Sequence, residues 1–167
     1  MKAFISILAV LLIAGCSSPG ITQSDNQQTT GEMEGRIAGI ISGQFYTFYA
    51  QTALPMRGRS RPLTSEYDLR VTPDSITAWL PYFGRAYTAP LDLTGGGIQF
   101  VSTDFEYSII DRKKGGWDIL IKPKDVRGTE QLRLTVSTSG YGSLQVTSTN
   151  RQPISFNGYV DESKSKQ

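Results

Sequence analysis

The chain has 167 residues, with 17 Lys and Arg against 15 Asp and Glu, no histidine and a single cysteine. A formal net charge of +2 gives no global field to draw in nucleic acid or another strongly charged partner. With histidine absent and the one cysteine committed as described below, Ser-His-Asp and Cys-His nucleophile systems and His or Cys zinc sites are excluded, which leaves carboxylates, hydroxyls, Lys, Arg and Tyr for any chemistry. Neither a metal nor a cofactor is expected.

Lys2 and the apolar run Ala3 to Ala14 have the charged start and short greasy centre of a secretory signal, too short to span a membrane comfortably as a helix. Ile13-Ala14-Gly15 directly before Cys16 is similar to a bacterial lipobox, whose cysteine is acylated and becomes the mature first residue. Residues 1–15 are therefore expected to be a lipoprotein signal peptide and Cys16 the lipidation site. A lone free thiol would be a liability in an oxidising compartment, and acylation consumes it. Each buried methylene contributes about 0.8 kcal/mol, so several acyl chains hold a protein on a membrane. Residues 16–31 are rich in Ser, Thr, Gln and Asn and almost free of apolar side chains, and read as a flexible tether.

From residue 32 to 160 the pattern is that of a single β-rich domain. Met33, Ile37, Ile40 and Ile41 recur at three- and four-residue spacing and predict a short amphipathic helix over residues 32–42, ending near Gly43. Phe45 to Ala50 reads as a strand, with a continued helix carrying Ile41, Phe45 and Phe48 on one face as the alternative. Pro55 and Pro62 bracket an irregular loop. Beyond it, polarity alternates with period two in successive runs: Tyr67-Leu69-Val71, Ile76-Ala78-Leu80, Ile98-Phe100, Phe105-Tyr107-Ile109, Trp117-Ile119-Ile121, Leu132-Leu134-Val136, Leu144-Val146 and Ile154-Phe156. Turn chemistry lies between them at Pro73-Asp74, Thr103-Asp104, Lys113 to Gly116, Gly140-Tyr141-Gly142 and Asn150 to Pro153. The expected fold is mainly β, α+β at the margin: an antiparallel meander of about eight strands in a curved or barrel-like sheet, the helix on an open end or face. Residues 161–167 read as a disordered tail.

The segments Leu80 to Tyr87 and Gly96 to Phe100, with Phe48 to Pro55, Gly115 to Ile119 and Ser148 to Gly158, resemble the Bacteroidetes-type lipoproteins grouped as the domain of unknown function numbered 4251. The likeness runs from about Ile37 to Tyr159. It implies an envelope lipoprotein and brings no functional residue with it. In such lipoproteins an acidic run after the cysteine is associated with export to the cell surface; here Ser17-Ser18-Pro19-Gly20 stands instead, which favours an outer-membrane anchor facing the periplasm.

Two clusters are candidates for binding. Tyr82, Phe83, Arg85 and Tyr87, with Trp79 nearby, mix aromatic rings and a guanidinium beside Pro81 and Gly84, as suits stacking on a sugar or an extended peptide. The alternative is that the rings plug one end of the core. Arg57, Arg59 and Arg61 alternate with Gly58 and Ser60, so an extended loop would project them to one side to grip phosphate or carboxylate groups; the alternative is solvated loop charges. Asp104 and Glu106, two apart on an expected strand, share a face as paired carboxylates for acid-base hydrolysis would; the alternative is that same-face acids are routine on a wet sheet. The sequence thus points to a non-catalytic, membrane-anchored lipoprotein. Its domain is expected to bind a glycan, peptide or envelope protein partner, or to serve as a structural component of an envelope complex.

Overall fold

The computed structural model describes residues 24–87 and 96–163. The expected signal peptide, Cys16 and the first part of the tether lie outside the described residues. One helix, α1 (Ser24–Ser42), precedes nine strands: β1 (Tyr46–Pro55), β2 (Arg61–Val71), β3 (Ile76–Leu80), β4 (Ile98–Ser102), β5 (Phe105–Asp111), β6 (Trp117–Pro123), β7 (Thr129–Val136), β8 (Tyr141–Ser148) and β9 (Ile154–Glu162). They form one antiparallel sheet in the order β4-β3-β2-β1-β9-β8-β7-β6-β5.

That order requires curvature. The edge strands β4 and β5 are consecutive in the chain, with only Thr103 and Asp104 between them. Laid flat, the edges of nine strands would stand about 38 Å apart at roughly 4.8 Å per step, whereas the link from Ser102 to Phe105 reaches about 10 Å. The sheet therefore curls until its edges meet, as a nearly closed barrel. Asp125 fixes the corner: its carboxylate accepts from the Ser102 hydroxyl and, at 2.9 Å, from the Thr103 amide. These two bonds hold its carboxyl below the ordinary carboxylate range.

Alternation places Tyr46, Phe48, Leu69, Ile76, Ile119 and Leu134, with their inward neighbours, in one fully buried core that fills the interior. At the Lys113–Gly116 hairpin, Gly115 and Gly116 have φ near +84° and +86°, and a Cβ on Gly116 would lie 2.2 Å from the Val136 carbonyl, so no other residue fits.

Helix α1 closes one end. Ile37 and Ile41 are buried, Ile37 against Gly140 in the β7–β8 turn, as the spacing predicts. The helix starts at Ser24, inside the stretch expected to be tether. Once its C-terminal turns are docked, each further residue adds a hydrogen bond without needing an apolar face of its own, so composition conceals it. The C-terminus is a Schellman motif, with Phe45 N–H on the Ile40 carbonyl at 3.0 Å and Gln44 N–H on the Ile41 carbonyl at 3.1 Å. The left-handed residue is Gln44 (φ 51°), not the neighbouring Gly43. The turn decides the helix-or-strand question, since β1 begins at Tyr46 and Phe45 is exposed. A hydroxyl chain ties the helix to the barrel: the Tyr46 and Tyr107 hydroxyls lie 3.2 Å apart and Tyr107 donates to the Ile41 carbonyl at 3.3 Å. Burial pushes both phenols up, Tyr107 to about 12.

Three boundaries differ from expectation. The loop expected between Pro55 and Pro62 shrinks to residues 56–60, because β1 runs through Pro55 and β2 begins at Arg61. The β7–β8 reversal uses Ser137 to Gly140, so Tyr141 and Gly142 already belong to β8. Asp161 and Glu162 pair with Thr47 and Tyr46, and Ser163 is buried, so residues 161–163 are not part of a disordered tail; residues 164–167 lie outside the described residues.

Candidate functional site

β1 rises from the helix-closed end to Pro55, and its ten residues carry the next loop about 30 Å away. That loop holds Arg57 and Arg59 and leads into Arg61 at the start of β2. The segment after β3 crosses the same end of the barrel. Pro81 is buried beside Leu80, and residues 85–87 then dock on the β8–β9 turn: Gln152 N–H bonds the Arg85 carbonyl at 3.0 Å, Tyr87 N–H bonds the Asn150 carbonyl at 2.8 Å, and Ala86 bridges Arg151.

Tyr82 is the keystone of this cap. Its hydroxyl lies 2.9 Å from the Arg85 carbonyl and 3.0 Å from that of Gln152, sharing one proton between two acceptors. Gly84 makes room for it, since a Cβ there would fall 2.5 Å from the hydroxyl. The Arg151 guanidinium lies over the Tyr82 ring, 4.9 Å from its centroid, while its Nη1 donates to the Gly96 and Gly97 carbonyls at 3.0 and 3.1 Å. Burial pushes the Tyr82 phenol up, opposed by the Gln152 hydrogen bond and the Arg151 charge.

The two clusters singled out in the sequence meet here. Arg57, Arg61, Tyr82, Phe83, Arg85 and Gln152 line one open groove of about 440 Å³, with the Arg61 guanidinium 5.0 Å from the Phe83 ring centroid. Phe83 and Tyr82 also pack against the core, so the rings serve the cap and the groove together. Among the described residues Arg57, Arg59 and Arg85 make no ion pair, whereas Arg36, Arg70 and Arg112 each have a carboxylate partner. Three of the candidates do not join the groove. Arg59, in the same loop, is not among the residues lining the groove, and Tyr87 is 66% exposed beyond the bridge. Trp79, expected near this cluster, sits on the outer face of β3, because it alternates with the buried Ala78 and Leu80. Gln152 and Arg151 were not foreseen; their turn was legible, but its pairing with residues 85–87 is a tertiary event.

Of the hydrolytic pair, Asp104 lies in the turn before β5 rather than on the strand, and Glu106 pairs with Lys124 at 3.3 Å. Both are exposed. Among the described residues no group of three or more Asp, Glu, His or Cys is placed to hold a metal ion, and no helix is long and apolar enough to cross a membrane.

A family model described as "Domain of unknown function (DUF4251)" matches residues 28–160. Among solved structures, the chain is similar to a DUF4251 family protein from Bacteroides eggerthii DSM 20697, with a TM-score of 0.63 and 16% identity over 81% of this chain and 91% of that one. That similarity is one of fold. Comparison with curated proteins finds no match.

Proposed function

This chain belongs to the DUF4251 family, a domain of unknown function, and from that premise we propose that it is a non-catalytic, membrane-anchored envelope lipoprotein whose barrel binds an anionic ligand or partner at its loop end. The observation that carries the reading is the convergence of Arg57, Arg61 and Arg85 on the groove floored by Tyr82 and Phe83. Gathering like charges without carboxylates raises the local potential, and a phosphate, sulfate or carboxylate group relieves it through planar, bidentate guanidinium contacts. The adjoining rings suit a ligand whose anionic group is carried on a sugar or other flat body. Charged headgroups and acidic glycans share this chemistry.

The anchor fits the same picture. Cys16 is proposed as the acylated residue, at an outer membrane and facing the periplasm. The chain enters the barrel through α1, which docks at the end remote from the groove, so the groove is presented away from the point of attachment. The filled interior favours, as a second reading, an accessory role in an envelope complex, the partner then supplying the anionic group.

The test uses the full-length chain in a nonionic detergent. Wild type is expected to bind a sulfated oligosaccharide saturably and more weakly as salt rises, with R57A/R61A/R85A at least about tenfold weaker. Anionic-lipid vesicles in a second arm separate a headgroup from a glycan. Equal binding by wild type and variant in both arms contradicts the proposal. For the anchor, radiolabelled palmitate is expected in the wild-type chain and not in C16A; label retained by C16A contradicts that part.

A further inference from the structure

The register of the outer wall lines up residues far apart in sequence. Tyr141 on β8 pairs with Tyr159 on β9, Tyr159 with Tyr49 on β1, Tyr49 with Asp68 on β2, Asp68 with Trp79 on β3, and Trp79 with Gln99 on β4. Every one alternates with inward residues of its strand, so all six face outward on one row across the strands. Tyr49 and Tyr159 stack at 5.3 Å, and Trp79 and Tyr141 are 51% and 65% exposed. From Tyr141 to Trp79 the row spans four interstrand steps, about 19 Å.

Beside the row the wall opens. β1 pairs with β2 at Ala50↔Tyr67 and next at Thr52↔Pro62, so Gln51 alone stands opposite Leu63, Thr64, Ser65 and Glu66. That mismatch leaves a cleft of about 610 Å³ between the strands, bordered by Tyr49 and Tyr159 and by the side chains of Gln51, Thr64, Ser65 and Glu66.

We propose that the row and cleft form a binding site for a neutral glycan chain lying across the strands, separate from the arginine groove. The interstrand step of about 4.8 Å is close to the length of one pyranose unit, so Tyr141 and Trp79, with the Tyr49–Tyr159 pair between them, can meet separate sugar units of one chain. No Lys or Arg lies in the row or borders the cleft, which disfavours an anionic polymer. Asp68 in the row and Asp161 at the cleft are paired with Arg70 and Arg36, which leaves Glu66 as the cleft's one carboxylate without an ion pair among the described residues, a single charge beside rings and hydrogen-bonding groups. β9 and β1 are paired on both sides at Tyr159 and Tyr49, so no free backbone edge for an added peptide strand lies at the stacked rings.

The experiment titrates the full-length chain, in a detergent without a sugar headgroup, with neutral hexasaccharides of α-linked glucose, β-linked glucose and N-acetylglucosamine. Binding is read by calorimetry and by tryptophan fluorescence. At least one hexasaccharide is expected to bind saturably and shift the emission; W79A and Y141A, both at exposed positions, are expected to weaken binding at least about tenfold while keeping the wild-type unfolding midpoint. R57A/R61A/R85A is expected to leave it unchanged, so this site and the groove stand or fall separately. No binding by any of the three sugars overturns the proposal, as does unchanged affinity in both W79A and Y141A. Emission shifted by tetramethylammonium and by none of the sugars also overturns it.

Discussion

The two ends of the barrel are closed by different means. At the helix end an apolar stripe sits on the core, the buried hydroxyls of Tyr46 and Tyr107 run to a helix carbonyl, and Arg36 is paired with Asp161 at 2.8 Å. At the loop end the cap is made by backbone pairing and two aromatic rings, and Arg57 and Arg85 have no ion-pair partner among the described residues. An end that only needs closing satisfies its polar groups internally. The loop end leaves charge uncompensated beside the rings of Tyr82 and Phe83, which is why binding is proposed there.

The comparison can be broken by substitutions, taken from the largest expected effect on stability to the smallest. Ile41→Ala removes a fully buried side chain from the helix plug and is expected to cost about 2–4 kcal/mol in denaturant unfolding, with binding at the groove unchanged. Tyr107→Phe leaves the buried Tyr46 hydroxyl without its acceptor, at a cost of about 1–2 kcal/mol. It also alters the alkaline limb. In the wild type the folded Tyr107 phenol, pushed up to about 12 from 10.0, favours folding fully below pH 10, and that contribution is lost as pH rises toward 12. A flatter stability profile over this window is expected for the variant, and an unchanged profile would show that the phenol does not titrate as described.

Gln44→Gly places at the left-handed C′ position the residue best suited to it, and about 0.5–1 kcal/mol of added stability is expected. R57A/R61A/R85A completes the series at the other end: unfolding within about 0.5 kcal/mol of wild type, with anionic-ligand binding lost. A large loss of stability in that variant would mean that the arginines support the cap, and the contrast between the ends would fail.

Period-two alternation made inward residues of β2 to β9 legible, though not those of β1, and the three- and four-residue spacing marked Ile37 and Ile41. Turn residues located the reversals at Pro73-Asp74 and Lys113 to Gly116 because their backbone needs are local. The polar first turns of α1 escaped, since a helix extended from a docked end carries no apolar signature there. For the groove, residue types were readable and assembly was not: Arg57 and Arg85 share it only because residues 85–87 pair with the β8–β9 turn. Trp79 shows the converse, since its neighbours in sequence are at the cap while its neighbours in space are Asp68 and Gln99 on the wall.

The contrast between the ends is tested most directly by amide chemical-shift mapping of the full-length chain during titration with a sulfated oligosaccharide. The account predicts saturable shifts confined to residues 57–61, 82–87 and 150–153, with residues 37–46 and 137–141 unmoved. Shifts centred on the helix end, or spread evenly over both ends, would contradict it.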